Sequence, residues 1–273
     1  MNLVCGKFQL DLSTPRVMGI VNVTPDSFSD GGKFSQRDQA IAHALRLMEE
    51  GADILDIGGE STRPNATPVS LQAELDRVIP VIEALVSQVN IPISINTYKP
   101  QVMQAAINAG ASMVNDVRAL QEDAALEIVA KSNVGLCLMH MQGTPQTMQL
   151  NPHYDDVVND VKNFLQARLQ ASIDAGVPAN RILLDPGFGF GKTREHNITM
   201  LQNLQSFADL GQPLLVGLSR KSVLGQVTGN DVDARLYASI AASVISAMKG
   251  AKILRVHDVK ATVEALKVVV ALQ

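Results

Sequence analysis

The sequence predicts an α/β fold in which eight strand–helix units close into a TIM-type (β/α)8 barrel, preceded by a short N-terminal β-hairpin. Short apolar runs rich in β-branched residues alternate with longer segments whose apolar residues recur at helical spacing. Glycine ends several of the longer segments, as is usual after a helix, for example at Gly51, Gly110 and Gly176. Polar residues follow most of the strands, which favours the barrel over an open doubly wound sheet.

The predicted elements follow one another without a linker of low complexity, so residues 1–273 are expected to form one domain. Residues 1–14 form the hairpin, which is expected to plug one end of the core, and residues 17–273 form the barrel. The eight strands are predicted at Val17–Val23, Asp53–Ile57, Pro92–Asn96, Ser112–Asn115, Val134–Met139, Ile182–Asp185, Leu214–Gly217 and Ile253–Val256.

A helix is predicted after each of these strands. Pro100 suits the start of the third helix, because a proline in the first turn removes an N–H that has no partner within the helix. The eight helices are predicted over residues 35–51, 71–86, 100–110, 123–131, 158–176, 196–210, 233–248 and 262–272.

The composition bounds the function. The chain has 46% hydrophobic residues and a net charge of -4, so a broad basic surface for nucleic acid is not expected. No apolar run is long enough to span a bilayer, and the N-terminus lacks the pattern of a signal peptide. The two cysteines, Cys5 and Cys137, are expected to be buried thiols, which fits a reducing cytoplasm. We therefore expect a cytoplasmic protein without nucleic-acid or membrane partners.

Polar and charged residues follow the predicted strands at nearly every unit. In a (β/α)8 barrel, the reactive side chains lie at the carboxyl ends of the strands. Their concentration at one end favours an active site over ordinary solvated loops. These residues are Asn22, Glu60, Thr62, Arg63, Asn96, Asn115, Asp116, His140, Asp185, Ser219, Lys221, Arg255 and His257.

The charge of this set indicates a phosphorylated ligand. Arg255 and His257 are two residues apart at a strand end, so their side chains point the same way. With Arg63 and Lys221 they give local positive charge to an acidic chain, and barrels of this type often bind phosphate at the last strands.

The remaining polar residues suit a flat polar heterocycle. Asp185, Asn115 and Asn96 offer hydrogen-bond donors and acceptors for such a ring. Three further residues, Phe188, Phe190 and Met139, are predicted to supply apolar walls.

Five stretches in order along the chain resemble the bacterial dihydropteroate synthase family: Asn22–Gly32, Gly58–Pro64, Leu184–Lys192, Gly217–Lys221 and Arg255–Asp258. The resemblance implies a TIM-barrel transferase of folate biosynthesis that joins 6-hydroxymethyl-7,8-dihydropterin diphosphate to p-aminobenzoate, releasing diphosphate and 7,8-dihydropteroate. It also implies Mg2+ as cofactor, inhibition by sulfonamides, and a homodimer formed through the late helices.

The resemblance further implies roles for individual residues. Asn22 would bind Mg2+ carried on the diphosphate, while Arg255 and His257 would bind the diphosphate itself. Asn115, Asp185 and Lys221 would hold the pterin, with Met139 and Phe190 against its faces, and Phe28, Thr62, Arg63, Pro64 and Ser219 would form the p-aminobenzoate side. Asn96 and Gly217 would also bind substrate. The catalytic set would be Asn96, Asp185, Lys221, Arg255 and His257. Separately from the resemblance, the loop from Thr24 to Gly32 ends in two glycines that would let it swing, and we expect it to close as a lid over both substrates.

One residue departs from the family pattern. The family usually has aspartate where this chain has Asn96, and asparagine lacks the negative charge that would favour a cationic pterin. We therefore expect normal pterin binding with slower chemistry.

Three other functions remain open from the sequence. A pterin-binding methyltransferase with a corrinoid partner is the nearest, but it has no need for Asn22, Arg63, Arg255 and His257 as a diphosphate set. A catalytically silent pterin-binding paralogue is supported by Asn96 alone. A Schiff-base aldolase using Lys221 is the weakest, because the basic neighbours and a phosphate role explain that lysine better.

Overall fold

The chain begins with an antiparallel hairpin. The computed structural model describes residues 1–24, 33–62 and 66–272. Strands β1 (Asn2–Cys5) and β2 (Phe8–Asp11) pair antiparallel around a turn at Gly6, whose φ is +61°. A positive φ is readily adopted by glycine because it has no Cβ. The predicted N-terminal hairpin is therefore confirmed.

The next eight strands form a closed parallel barrel in the order β10-β3-β4-β5-β6-β7-β8-β9. Closure by β9 and β10, which pair in parallel, confirms the barrel and rules out the open sheet. The strands are β3 (Arg16–Asn22), β4 (Ile54–Gly58), β5 (Ile93–Asn96), β6 (Met113–Asp116), β7 (Gly135–Met139), β8 (Ile182–Asp185), β9 (Leu214–Val216) and β10 (Ala251–Val256).

Helices follow the strands. They are α1 (Lys33–Glu49), α2 (Leu71–Val86), α3 (Pro100–Asn108), α4 (Ala125–Ala130), α5 (Val157–Asp174), α6 (Arg194–Gln202), α7 (Ser222–Thr228), α8 (Leu236–Met248) and α9 (Val259–Ala271). Within the described ranges, no helix has the length and apolar character needed to cross a membrane.

Two helical segments differ from the prediction. Helix α7 was not predicted, because its seven residues are too few to show helical periodicity and include Gly225. The helix predicted over residues 196–210 is divided into α6 and a 3-10 helix at Leu204–Leu210.

Alternation of side chains along the strands divides the core into two layers. One face of each strand packs outward against the helices, as Leu55 and Ile57 of β4 do against Val78 and Ile82 of α2 in the main apolar cluster. The other face points into the barrel. Its lowest layer is made of Met18, Ile54, Met113, Cys137, Leu183, Leu215 and Ile253.

The hairpin closes the lower end of the barrel. Leu3, Cys5 and Leu12 belong to the same apolar cluster as the lowest interior layer, and Gly6 N donates to Asn133 O at 3.0 Å. The plug predicted from the sequence is thus confirmed. Since this end is filled by apolar side chains, polar chemistry inside the barrel is confined to the opposite rim.

Candidate active site

The layer of side chains directly above the lowest interior layer is mostly polar. Side chains alternate between the two faces of a strand, so the residue two positions after each member of the lowest layer also points into the barrel. The residues at those positions are Ile20, Asp56, Asn115, Met139, Asp185, Gly217 and Arg255. Five of these seven were predicted site residues, and a further step up lie Asn22 and His257, also predicted.

Asp56 is the buried centre of this layer, and the sequence prediction missed it. Its Oδ2 accepts hydrogen bonds from Arg255 Nε at 2.6 Å, Asn115 Nδ2 at 3.2 Å and Asn96 Nδ2 at 3.3 Å. The residue is fully buried. The available signal was a charged residue between Leu55 and Ile57, since a carboxylate in a buried strand requires partners inside the barrel.

Asp185 ends β8 in a buried position. Its Oδ1 accepts from Gly187 N at 2.7 Å. Burial raises the pKa of this carboxyl, while the charges of Lys221, Arg255 and Lys192 and the Gly187 N–H act in the opposite direction. Gly187 has a φ of +70°, and a Cβ there would lie 1.8 Å from His140 O, so the turn requires glycine.

Lys221 lies opposite Asp185, before α7. Its Nζ donates to Phe188 O at 2.5 Å and lies 4.5 Å from the centre of the Phe190 ring. Burial lowers the pKa of the ammonium to about 8, against the opposing effect of Asp185. Gly217 separates Lys221 from Arg255, because a Cβ at residue 217 would lie 3.9 Å from Lys221 Nζ and 3.7 Å from Arg255 Cβ.

Ser219 and His257 meet where the loops after β9 and β10 approach each other. Ser219 Oγ lies 3.0 Å from His257 Nδ1 and accepts from His257 N at 3.1 Å. The structure therefore connects two predicted site residues that lie on adjacent strand ends. Arg255 lies two residues before His257 in the chain, at the end of β10.

An apolar cluster lines the other side of the mouth. Met139 and Phe190 pack with Val117, Met141 and Met148. This agrees with the prediction of apolar walls for the first two residues. Phe188 is different: it lies in the main core between barrel and helices, so its prediction as a wall residue was wrong. Only its backbone carbonyl reaches the site, through Lys221.

Not every predicted residue can be located. Thr62 is half-buried in the loop after β4, and Asn22 is half-buried at the end of β3, with Oδ1 3.9 Å from the position of a Cβ on Gly58. Phe28, Arg63 and Pro64 lie outside the described residues, as does nearly all of the predicted lid from Thr24 to Gly32.

Lys192 forms a buried support beneath the loop after β8. Its Nζ contacts Gly187 O at 2.9 Å, Phe190 O at 3.0 Å and His140 Nδ1 at 2.8 Å. Burial lowers the pKa of His140 to about 2, with the Lys192 charge acting in the same direction, so the imidazole is neutral and its Nδ1 can accept a hydrogen bond from Lys192 Nζ. His140 therefore holds the loop that carries Asp185 and Phe190.

A second support ties the loop after β4 to β5. Lys99 Nζ donates to Glu60 Oε2 and to Glu74 Oε2, both at 2.5 Å, and to Val69 O at 2.8 Å. The loop between Glu60 and Val69 contains Thr62, and also Arg63, which lies outside the described residues. The sequence prediction gave Glu60 as a strand-end residue but did not find Lys99, whose partners lie 25 to 39 residues earlier in the chain.

The barrel mouth combines four kinds of chemical group. Asp56 and Asp185 provide buried negative charge, Arg255 and Lys221 provide positive charge, and the two amides of Asn96 and Asn115 lie between them. Met139 and Phe190 add an apolar surface. This combination suits a flat polar ring bound next to an anionic group.

Comparison with known proteins agrees with this arrangement. Residues 18–257 match the family described as "Pterin binding enzyme". A dihydropteroate synthase of Haemophilus influenzae is 52% identical over 268 residues, covering 98% of each chain. A Xanthomonas albilineans dihydropteroate synthase solved with 4-aminobenzoic acid is 53% identical, with a TM-score of 0.95 over 100% of this chain and 98% of that one. A Yersinia pestis dihydropteroate synthase solved with a sulfonamide drug is 51% identical, with a TM-score of 0.95 over 100% and 99%.

The fold and the family match define a pterin-binding enzyme built on a (β/α)8 barrel. Similarity over the full length is more specific, and the chain belongs to the dihydropteroate synthase family. Its activity is that of a transferase, which condenses 6-hydroxymethyl-7,8-dihydropterin diphosphate with p-aminobenzoate to give 7,8-dihydropteroate and diphosphate in folate biosynthesis. The resemblance found in the five sequence stretches is thereby confirmed.

Proposed function

We propose that the residues inside the barrel mouth carry out this reaction by binding and orienting the two substrates around the departing diphosphate. Asn115, Asp185 and Lys221 bind the pterin, with Met139 and Phe190 against its faces and Gly217 leaving room beside it. A buried carboxylate at Asp185 and the amide of Asn115 match the donors and acceptors of a pterin ring.

Arg255 and His257 bind the diphosphate. Loss of diphosphate requires neutralisation of the negative charge that grows on the leaving group, and a guanidinium provides it without giving up a proton. His257 Nδ1 is close to Ser219 Oγ, which fixes the ring beside Arg255. The arylamine is already nucleophilic, so the chain has to orient it and does not have to deprotonate it first.

Mg2+ fits the donors at this rim. Among residues 1–24, 33–62 and 66–272, no group of three or more His, Cys, Asp or Glu residues is arranged to hold a metal ion. Mg2+ commonly keeps several waters and takes only one or two protein ligands together with substrate phosphates. The side-chain oxygen of Asn22 would therefore hold it with the diphosphate. When bound, it neutralises part of the leaving-group charge.

The p-aminobenzoate side is formed by the outer loops. Thr62 and Ser219 follow β4 and β9, which are separated in the barrel by β10 and β3, and Phe28, Arg63 and Pro64 complete the set. Sulfonamides occupy the same place and compete with p-aminobenzoate. The sulfonamide complex of the Yersinia pestis relative supports this assignment.

The observation that carries the residue roles is the meeting of Asp185, Lys221 and Arg255 around Gly217. The test is incubation with both substrates and Mg2+, with detection of dihydropteroate and diphosphate. We expect Lys221→Met to lose most activity and Lys249→Met, a change of a half-buried lysine after α8 that contacts Gln202 O, to keep it. Absence of diphosphate release from the unaltered enzyme would contradict the proposed function, and full activity of Lys221→Met would contradict the role of that lysine.

A homodimer through the late helices is the proposed assembly. Helix α8 exposes Tyr237 (82%), Ile245 (42%) and Met248 (64%), and the adjacent α9 exposes Val268 (62%). Apolar side chains grouped on neighbouring helices are typical of an interface between subunits. In sedimentation, we expect Met248→Lys to shift the protein toward monomer and Leu150→Lys, at an exposed leucine elsewhere, to leave the assembly unchanged.

The cytoplasm is the proposed location. Both cysteines are free and buried, so the fold is held without a disulfide between them. Such a protein is stable in a reducing compartment. Intact activity in the presence of a thiol reductant is the expected result, and loss of activity would argue against this location.

A further inference from the structure

Asp56 concentrates its contacts on one oxygen. Oδ2 accepts from three donors, on β5, β6 and β10, whereas Oδ1 has no hydrogen-bond partner among the described residues. The strand pairing of β4 with β5 sets Asp56 beside Ser94, whose buried Oγ likewise has no partner in the described part of the chain. The carboxylate is therefore bound entirely from the side that faces the site.

A fully buried carboxylate is costly unless a cation and hydrogen-bond donors compensate it. Arg255 is the cation, with Nε 2.6 Å from Oδ2, although the two residues are separated by 199 positions in the chain. Aliphatic side chains fill the lower layer at no such cost, as Ile54 does two residues earlier. A charge retained at this position is therefore better explained by the site than by stability.

The contact also determines what Arg255 can do. Its Nε is used by Asp56, and within the described residues neither terminal nitrogen of the guanidinium has an acceptor at hydrogen-bond distance. Because a guanidinium is planar, fixing Nε fixes the direction of the two terminal nitrogens. These remain available for an anion at the barrel mouth.

We propose that Asp56 is a positioning residue for the transferase reaction. It orients Arg255 toward the diphosphate and aligns the amides of Asn96 and Asn115 with the same oxygen. The inference rests on the proposed function, in which Arg255 binds the diphosphate. It also accounts for Asn96: an amide at this position donates to Asp56, so of the two neighbouring strands β4 and β5 the negative charge lies on β4.

The test is a double-mutant cycle of Asp56→Asn and Arg255→Lys, with steady-state kinetics for each substrate. Asp56→Asn should lower kcat/KM for the pterin diphosphate by about 10- to 100-fold, as expected for loss of a hydrogen bond between charged groups. KM for p-aminobenzoate should change little. In the Arg255→Lys variant, Asp56→Asn should lower kcat/KM for the pterin diphosphate by a much smaller factor, because the residue through which Asp56 acts is already altered.

Asp53→Asn is the matched control. Asp53 also contacts an arginine, with Oδ1 3.3 Å from Arg16 Nη1, but it lies before β4 at the plugged end of the barrel. This change should leave kcat/KM for both substrates unchanged. A purely structural role of Asp56 predicts the opposite pattern: lower thermal stability, equal losses for both substrates, and additive effects in the cycle.

Two measurements keep the proposal testable if Asp56→Asn does not fold. Asp56→Ser leaves space between the three donors and should show the same selective loss. In the unaltered protein, the Nε–H of Arg255 should exchange with solvent more slowly than that of exposed Arg46 in NMR spectra. Equal exchange rates, additive losses, or an active Asp56→Asn would overturn the proposal. Failure of the unaltered enzyme to form dihydropteroate would instead refute the proposed function.

Discussion

At the scale of single residues, Lys221 is subject to two opposing influences. Burial disfavours its charged form and lowers the pKa to about 8, while Asp185 favours the charge. Its ammonium is therefore protonated below about pH 8 and becomes neutral above it. We expect kcat/KM for the pterin diphosphate to fall as the pH rises through this value. The measurement is the pH profile of kcat/KM, which reports the ionisation of groups in the free enzyme.

Lys221→Arg is the variant that tests this assignment. Arginine keeps its charge throughout the accessible pH range, so the alkaline decline should disappear even if overall activity is lower. An unchanged decline in this variant would assign it to another group.

Asn96→Asp tests the missing charge. A carboxylate here favours the positive charge that develops on the pterin, so kcat should rise, by at most about 100-fold for one electrostatic group. However, Asn96 Nδ2 lies 3.3 Å from Asp56 Oδ2, so the new carboxylate would lose this hydrogen bond and lie beside an existing carboxylate. Repulsion between the two limits the gain in kcat.

Asn108→Asp makes the same chemical change on the exposed end of α3 and serves as the control. It should not change kcat. If Asn96→Asp gives no increase at any pH, the charge at this position does not limit the chemistry.

At the scale of elements, the loop after β4 depends on Lys99. The side chains of its partners Glu60 and Glu74 are only 7% and 1% exposed, so removing the cation leaves two buried carboxylates without it. Loss of one partner from a buried ion pair typically costs about 3–5 kcal/mol. We expect Lys99→Met to lower the unfolding temperature and to raise KM for p-aminobenzoate, because Thr62 lies in this loop.

Lys131→Met provides the comparison. Lys131 pairs with Glu127 on the exposed surface, where solvent screens an ion pair and its contribution to stability is small. Its loss should alter neither the unfolding temperature nor KM appreciably. An unchanged KM in Lys99→Met would mean that the loop is held by other contacts.

The elements also show what a sequence can predict. Strands such as β7 and β8 were found because a run of buried apolar residues is a local signal, and the strand-end rule then identified Asn115, Asp185 and Arg255. Asp56 and Lys99 were missed because their importance lies in partners from distant segments. Periodicity cannot reveal a contact between residues 56 and 255.

At the scale of the whole molecule, the hairpin packs tightly against the barrel wall at Gly135, the first residue of β7. A Cβ at this position would lie 2.6 Å from Cys5 Sγ and 3.3 Å from Val4 O. Gly135→Ala should therefore destabilise the fold, by about 1–3 kcal/mol as for overpacked cores. Chemical unfolding is the measurement, and Cys5→Ala in the same chain should restore part of the loss.

Activity gives the complementary readout for this pair. The site lies at the opposite rim, so kcat of the folded Gly135→Ala protein should match that of the unaltered enzyme. A large fall in kcat without loss of stability would show that the plug influences the site.

The plugged end has a further consequence for chemical reactivity. Cys5 belongs to the hairpin and Cys137 to the barrel wall, and both side chains are fully buried. Burial raises the pKa of the Cys5 thiol to about 12 and the pKa of the Cys137 thiol well above its usual value. Neither thiol should react with an alkylating reagent until its own part of the molecule opens. Labelling of each cysteine in mild denaturant, followed by mass spectrometry, would therefore measure two separate events: dissociation of the hairpin from the barrel, and separation of the barrel strands. We expect Cys5 to be labelled first, and simultaneous labelling would mean that hairpin and barrel unfold as one unit.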